Sequence, residues 1–370
     1  MNTSQPQTEP GILKVLAGLL GTDVKNGRLE IPAAYGKGYC SGFVFNEHIR
    51  MLIMDYELKE NLNVENPELN DSTRMILFKF QNVLPETLPA SETAAAPEKA
   101  SAPATPSFPG ASLFPTAASF AEITSAPESA SFAEATSPFE DQRSKKYPSV
   151  LIMTSSVNTD IMIPVHSNTS TINIEVDASY LTGLFGGSEK SALLQSLLQN
   201  TQPLLFEQAI FPSLQKIVNE IVSEPIDHTF ELFFMRVKAE ELICRLLMEL
   251  EKRDEKRLYP LNEDDIQIIY KVKARMLEHL ERPPVIKELA VFAGMSPSKL
   301  KRLFGQIFGN SIFNYYQDFR MKEAAALLSA KKLNVSAVGY QLGFTNLSHF
   351  SKIFNEHIGM KPKQYSKSLN

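Results

Sequence analysis

Two short stretches of this sequence combine basic and hydrogen-bonding side chains at a spacing that places them on the open face of a helix or at its flank. They are Ser298, Lys299, Lys301 and Arg302 in the first stretch, and Asn346, Ser348, His349 and Lys352 in the second. An arginine can bind guanine through two parallel hydrogen bonds, and a lysine or serine can contact bases or phosphates. This chemistry favours recognition of double-stranded DNA through its major groove, although His349 taken alone could also be a structural histidine.

The first stretch follows a short apolar segment with the pattern of a helix-turn-helix unit. Ala290 is small, as required where a second helix crosses closely, and Gly294 suits the left-handed residue that ends a helix. Ser296 is a good N-cap and is followed by Pro297, which is tolerated at the first helical position. The pattern therefore predicts a scaffold helix, a turn and a second helix that exposes the basic residues.

The second stretch repeats this pattern about fifty residues later. Gly339 stands where Ala290 stood, Gly343 matches Gly294, and either Thr345 or Asn346 can cap the following helix. The turn is one residue longer than in the first unit. Two similar but non-equivalent units are therefore predicted.

A long amphipathic segment, with Ser311 as its predicted N-cap, joins the two units from Ile312 to Leu328. A helix of this length spans about 25 Å. Together with the packing of the neighbouring helices, it could hold the second helices of the two units roughly one DNA turn, about 34 Å, apart on the same face of a duplex.

The charge distribution agrees with this interpretation. The chain carries a formal charge of −5, but residues 283–370 contain twelve Lys and Arg against four Asp and Glu. The formal net charge of that segment is therefore +8, and that of the remaining chain is −13. A basic end on an acidic body suggests a nucleic-acid partner for that end, or simply a solvated basic surface. One helix-turn-helix pattern could be three packed helices, but two in a basic segment favour DNA binding.

The motifs in residues 262–370 resemble the DNA-binding domain of the AraC/XylS family of bacterial transcription regulators. The resemblance lies in Ile286 to Phe304, in Val338 to Phe354, and in the final Gly359-x-x-Pro362-x-x-Tyr365. It implies a seven-helix domain that inserts two helices into successive major grooves. It also implies a regulator that activates promoters by recruiting RNA polymerase. The positions that match the base-facing residues of the family are Ser298, Lys301, Arg302, Ser348, His349 and Lys352.

The N-terminal part is predicted to be β-rich, which makes the whole chain α+β. Strand-length apolar runs occupy residues 49–58, 75–80, 150–154, 159–165 and 170–176, and glycines at 36, 38 and 42 suggest a looped segment before them. These strands would form one sheet or a small barrel. Strands followed by two helices are similar to the cupin-like sensors of the same family, and this similarity implies a small-molecule effector. The sequence leaves its binding residues unknown.

The two helices are predicted at residues 204–221 and 230–250, where apolar residues recur at helical spacing. Each could cover the core of the sensor or form a subunit interface, and at least one is expected to help a homodimer form. Cys244 lies on the apolar face of the second helix and is expected in the core.

Composition sets the remaining boundaries. Residues 85–146 are rich in Ala, Pro and Ser and are predicted to be a disordered insertion. The expected domains are a sensor and dimerisation domain at 11–84 and 147–250, a linker at 251–261 and a DNA-binding domain at 262–370.

Other classes of protein have weaker support. An enzyme fused to a DNA-binding domain would need an activated thiol, and neither Cys40 nor Cys244 lies in a recognisable one. His48 and His166 are isolated, so neither a metal nor a cofactor is expected. No run of 18 apolar residues or signal peptide is seen, and two distant cysteines suit the cytoplasm. A further alternative is an effector-independent regulator whose N-terminal domain only dimerises or binds a protein.

Overall fold

The computed structural model describes residues 10–60, 74–84, 147–154, 168–185, 190–199, 201–253 and 258–368. The predicted insertion at 85–146 and the predicted strand at 159–165 lie outside these residues. The strands are β1 Arg28–Glu30, β2 Gly36–Asn46, β3 Ile49–Leu58, β4 Met75–Gln81, β5 Ser149–Thr154, β6 Asn168–Asp177 and β7 Leu205–Ala209.

The helices fall into two groups. Those of the N-terminal part are α1 Gly11–Leu20, α2 Ala178–Leu184, α3 Ala192–Gln199, α4 Pro212–Ser223 and α5 His228–Glu251. Those of the C-terminal part are α6 Glu263–Leu277, α7 Ile286–Phe292, α8 Pro297–Phe308, α9 Ile312–Ser329, α10 Val335–Gln341, α11 Leu347–Ile358 and α12 Pro362–Ser368. No helix among the described residues is long and apolar enough to cross a membrane.

The strands form one antiparallel sheet in the order β1-β2-β3-β6-β4-β5-β7. Alternate residues of each strand point to opposite faces, and both faces are apolar. One face, which includes Phe78 and Ile172, packs against α2 to α5. The other, which includes Leu77 and Leu151, packs against α1 and the first helices of the C-terminal part. The sheet is therefore buried between the helices of both parts.

The glycines before β3 are wrongly predicted as a loop, since Gly36, Gly38 and Gly42 lie within β2. A Cβ on Gly36 would lie 2.1 Å from the carbonyl oxygen of Glu57, and one on Gly38 would lie 2.2 Å from that of Asp55. The absence of side chains lets β2 approach β3 closely at this end.

The predicted helix at 204–221 is wrong over its first part. Residues 205–209 form the edge strand β7, and α4 begins only at Pro212, where a missing N–H is tolerated. Two short helices, α2 and α3, were not predicted either. The N-terminal part therefore has four helices after β6, interrupted by β7, rather than the predicted two.

Helix α5 covers the predicted residues 230–250, but its buried face is not the predicted one. Its core face includes Ala239, Leu242 and Leu246, while most apolar residues of the predicted face, among them Phe230, Phe233 and Val237, are exposed. Cys244 is exposed and not in the core, contrary to the prediction. Because α5 has apolar residues on two faces, periodicity could not show which of them is buried.

Candidate nucleic-acid interface

The first helix-turn-helix unit consists of α7, a turn and α8. Gly294 has a φ of +61°, as predicted for the end of α7. The Ser296 hydroxyl accepts a hydrogen bond of 3.2 Å from the Lys299 amide and caps α8. Leu300 and Phe304 are buried beneath the helix, and this orientation leaves Ser298, Lys301 and Arg302 exposed on its outer face.

Two of the predicted contact residues on α8 already have partners within the protein. The Lys299 ammonium lies 2.8 Å from a carboxylate oxygen of Asp265 on α6. The Arg302 guanidinium lies over the Tyr259 ring, 4.1 Å from its centroid. Stacking on Tyr259 holds the Arg302 side chain in place while leaving it exposed. The ion pair with Asp265, in contrast, directs the Lys299 side chain towards α6.

The second unit consists of α10, a turn and α11. A Cβ on Gly339 would lie 2.8 Å from a Leu347 methyl group, which explains the small residue at this crossing. The Asn346 side chain accepts hydrogen bonds from the amides of Ser348, at 2.9 Å, and His349, at 3.1 Å. Asn346 is thus the cap of α11, as the sequence allowed, and this role engages the side chain that was also predicted to contact DNA.

The other predicted residues of α11 lie on its outer face. Ser348, His349 and Lys352 are exposed. The His349 ring lies edge-on to Phe344 at 6.0 Å, and the Lys352 ammonium lies 3.9 Å from Glu356. The structure therefore brings the predicted residues together as two exposed patches, one on each second helix.

Helix α9 holds the second unit through a buried arginine that sequence reasoning missed. Arg320 donates a hydrogen bond of 2.8 Å to the Leu342 carbonyl, and its guanidinium stacks 3.7 Å from the Phe344 ring centroid. Burial lowers the pKa of Arg320. Asp318, also on α9, lies 2.6 Å from His357 of α11. The one signal in the sequence that could have indicated this contact is an arginine within the long amphipathic segment that forms α9.

Helix α6, which packs against α7 and α8 of the first unit, is attached to the sheet through contacts that the sequence did not predict. The carboxylate of Glu207 on β7 accepts hydrogen bonds from the Tyr270 hydroxyl at 2.9 Å and the Lys273 ammonium at 2.8 Å. Burial, together with the charge of Glu207, raises the pKa of Tyr270 and of Tyr315. Arg253 donates to the Glu207 carbonyl at 2.8 Å. The orientation of the first unit is therefore linked to an edge of the sheet.

The second attachment involves α9. The Tyr147 hydroxyl donates a hydrogen bond of 2.9 Å to Glu323, and its ring lies edge-on to Phe319 at 4.9 Å. Burial is the main cause of the raised pKa of Tyr147, and Glu323 adds to it. Tyr147 lies two residues before β5, the strand that pairs with β7, so both attachments lie near the same edge of the sheet.

Comparisons with known proteins identify relatives of the C-terminal part. Residues 289–368 match the family described as "Helix-turn-helix domain". The HTH-type transcriptional regulator GbdR of Pseudomonas aeruginosa is 33% identical over 95 residues, which are 26% of this chain and 26% of that protein. The arabinose operon regulatory protein of Escherichia coli is 32% identical over 80 residues, 22% of this chain and 27% of that protein.

The chain thus spans about a quarter of the length of these relatives, since the aligned segments cover 26% and 27% of them. Among solved structures, one similar chain is a transcriptional regulator from Chromobacterium violaceum, which is described as belonging to the AraC-type DNA-binding domain-containing proteins. It is 25% identical. The match covers 29% of this chain and 96% of that one, with a TM-score of 0.27.

Proposed function

We propose that the protein is a sequence-specific transcription regulator of the AraC type that reads DNA with α8 and α11, since its residues 289–368 match the helix-turn-helix family and its relatives there are regulators by name. The observation that carries this proposal is the pair of exposed polar and basic faces on these helices. The 18-residue helix α9, roughly 27 Å long, separates them and is packed against both. This spacing suits two adjacent major grooves.

The proposed regulator acts as an activator in the cytoplasm, recruits RNA polymerase and works as a homodimer. Its N-terminal part serves as a cupin-like sensor for a small-molecule effector. The antiparallel sheet supports such a sensor, because one of its faces contacts the first helix-turn-helix unit. A ligand bound on that face would therefore lie in the same core as α6 and α8.

Unpartnered polar atoms in the sheet support a bound effector. Asn173 is only 2% exposed, and neither polar atom of its side chain has a hydrogen-bond partner among the described residues. The Thr171 hydroxyl, two residues earlier and on the same face, also lacks a partner there. Leaving such groups unsatisfied costs about 1–3 kcal/mol each, so a ligand that donates and accepts hydrogen bonds would be stabilised here.

Asn173 lies in a cross-strand row that ends at the attachment of the first unit. The row runs through Leu52, Asn173, Lys79, Leu151 and Glu207. Three strand spacings, roughly 14 Å, separate Asn173 from Glu207. A shift of this row on ligand binding would reach Lys273 of α6 through the carboxylate of Glu207. This path supports regulation of DNA binding by the sensor.

DNA binding is tested with the full chain on a duplex obtained by genome-wide mapping of its bound sites. We expect Arg302→Ala and Lys352→Ala each to lower specific affinity by about 1–3 kcal/mol, roughly tenfold to a hundredfold, in an anisotropy titration at fixed salt. Affinity should also fall steeply with salt. The control is Lys216→Ala, which removes an exposed lysine of α4 and should leave the affinity unchanged. Unaltered binding by both reading-helix variants would contradict the assignment.

Effector binding is tested by thermal-shift screening of the full chain against small metabolites. A compound that raises the melting temperature of the wild type should fail to do so for Asn173→Leu, while that variant still binds DNA. If no compound shifts the wild type, the alternative of an effector-independent regulator, whose N-terminal part only dimerises or binds a protein, is favoured.

An enzyme with a nucleophilic thiol has less support. Cys40 is buried, and burial raises its pKa to about 12, which suppresses the reactive thiolate. The relatives reported above are transcription regulators by name.

A further inference from the structure

The short segment that leads into the C-terminal part lies against α8. Residues 258–261 directly precede Asn262, the N-cap of α6, and one of them, Tyr259, is partly buried. The central carbon of the Arg302 guanidinium lies over the Tyr259 ring, 4.1 Å from its centroid, while the Arg302 side chain stays exposed on α8. A residue outside the helix-turn-helix unit therefore supports a side chain that is proposed to read DNA.

A buried glutamine of α8 holds Tyr259 in this place. Gln306 is only 3% exposed, and both polar atoms of its side chain bind the backbone of Tyr259. Its nitrogen donates a hydrogen bond of 2.8 Å to the Tyr259 carbonyl, and its oxygen accepts one of 3.0 Å from the Tyr259 amide. Gln306 lies one helical turn after Arg302, so a residue bound to Gln306 lies beside the Arg302 side chain.

The stacked arrangement leaves the hydrogen-bonding edge of Arg302 available. The N–H donors of a guanidinium lie in its plane, whereas an aromatic ring contacts only its face. Guanine is bound through two of these N–H groups, which donate to its O6 and N7 atoms. A stacked arginine has also lost part of its rotational freedom before DNA binds, so less entropy is lost in the complex. The contact with Tyr259 therefore prepares Arg302 for binding a base.

We propose that Tyr259 is a positioning residue for DNA recognition, which holds the Arg302 guanidinium in the orientation that binds guanine and so sets the base preference of α8. The proposal rests on the proposed function, since it assigns a base to one of the residues proposed to read DNA. It adds the segment at 258–261 to the two helices as a part of the recognition site.

The same segment connects α8 to the sheet. Leu261 is buried, and its amide donates a hydrogen bond of 3.0 Å to the carbonyl of Pro203, two residues before β7. A displacement of β7 relative to α8 would therefore shift the Tyr259 ring beneath the guanidinium. Through this segment the N-terminal part can alter the base preference of Arg302 without contacting DNA itself.

Binding of the full chain to a set of duplexes tests the proposal. The starting duplex comes from genome-wide mapping of the bound sites, and each of its G·C pairs is replaced by A·T in turn. We expect Arg302→Ala to abolish discrimination at one G·C pair. Tyr259→Ala should reduce discrimination at that same pair about threefold to tenfold, and at no other pair. Tyr259→Phe keeps the ring and should behave as the wild type.

Two further variants separate positioning from a general loss of stability. Gln306→Leu removes both hydrogen bonds to the Tyr259 backbone but keeps the ring and the arginine, and it should reduce discrimination at the same G·C pair. The control is Tyr35→Ala, which removes an exposed tyrosine of the N-terminal part and should leave all affinities unchanged. Circular dichroism melting verifies that each variant is folded at the temperature of the titrations.

The set of variants distinguishes failure of this proposal from failure of the proposed function. If Arg302→Ala loses discrimination at a G·C pair and Tyr259→Ala does not, the positioning role alone is overturned. A uniform loss of affinity for every duplex in Tyr259→Ala, a gain in affinity, or a Tyr259→Phe variant that behaves like Tyr259→Ala also overturns it. If Arg302→Ala discriminates as the wild type does, base reading by Arg302 fails, and the positioning role fails with it.

Discussion

At the scale of residues, the two turns of the helix-turn-helix units differ in how much they depend on glycine. Gly294 and Gly343 both have a left-handed conformation, with φ of +61° and +77°. A Cβ on Gly294 would meet no atom within 4 Å, whereas one on Gly343 would lie 2.1 Å from the Glu281 carbonyl oxygen. The second turn is therefore closed by a neighbouring backbone, and the first is open.

We predict that Gly294→Ala lowers the free energy of unfolding by about 1–2 kcal/mol, the usual effect of a left-handed backbone on a residue with a Cβ. Gly343→Ala should lower it by about 3 kcal/mol or more, because the Glu281 backbone must also move. Urea denaturation of the two variants measures both changes. Equal effects would show that the contact with Glu281 does not constrain the second turn.

Sequence alone predicted the features of the site that depend on near neighbours in the chain. The caps Ser296, Ser311 and Asn346 were predicted because each bonds to an amide two or three residues away. The pairing of Lys299 with Asp265 was not, because it joins residues 34 positions apart. Local chemistry could therefore predict the exposed faces, but not which of their charges already have partners.

At the scale of elements, Arg320 links the long helix α9 to the turn of the second unit. Its guanidinium is buried and satisfies the Leu342 carbonyl. Because this carbonyl ends α10, the contact sets the position of α10 and α11 relative to α9.

We predict that Arg320→Ala lowers the free energy of unfolding by about 2–4 kcal/mol, since it leaves a cavity and an unsatisfied carbonyl. Arg320→Lys should recover only part of this loss, because an ammonium lacks the planar surface that stacks on Phe344. Thermal melting of both variants provides the measurement. Full recovery by lysine would contradict a role for stacking.

Prediction of whole elements failed where two patterns overlapped. The segment at 204–221 was read as one helix because apolar residues of β7 continue in phase with those of α4. The register of β7 against β5, which makes it a strand, depends on residues more than fifty positions earlier in the chain. Strands β3, β4, β5 and β6 were found because they are short, apolar and bounded by polar residues.

At the scale of the whole molecule, the buried pair of Glu207 and Lys273 joins the sheet to the helices of the C-terminal part. The Glu207 side chain is buried, and that of Lys273 is largely so. Removing one member of such a pair leaves the other charge without compensation.

We predict that Lys273→Met destabilises the protein by about 3 kcal/mol, and that adding Glu207→Gln recovers at least about 1 kcal/mol of this loss. The exposed pair of Lys37 and Glu57 is the control, for which Lys37→Met should change stability by less than about 1 kcal/mol. Chemical denaturation measures all of these variants. If the effects of the double variant were additive, Glu207 and Lys273 would not be coupled.

The position of β7 at the end of the sheet has a consequence for aggregation. An uncovered edge strand offers its backbone to other chains and promotes edge-to-edge association. Here α8 packs against β7, Arg253 donates to the Glu207 carbonyl, and Leu205 is buried among residues of both parts. The helices of the C-terminal part thus also shield the sheet from self-pairing. An N-terminal fragment cut before α6 would lose this cover and should precipitate, whereas the full chain should stay in solution.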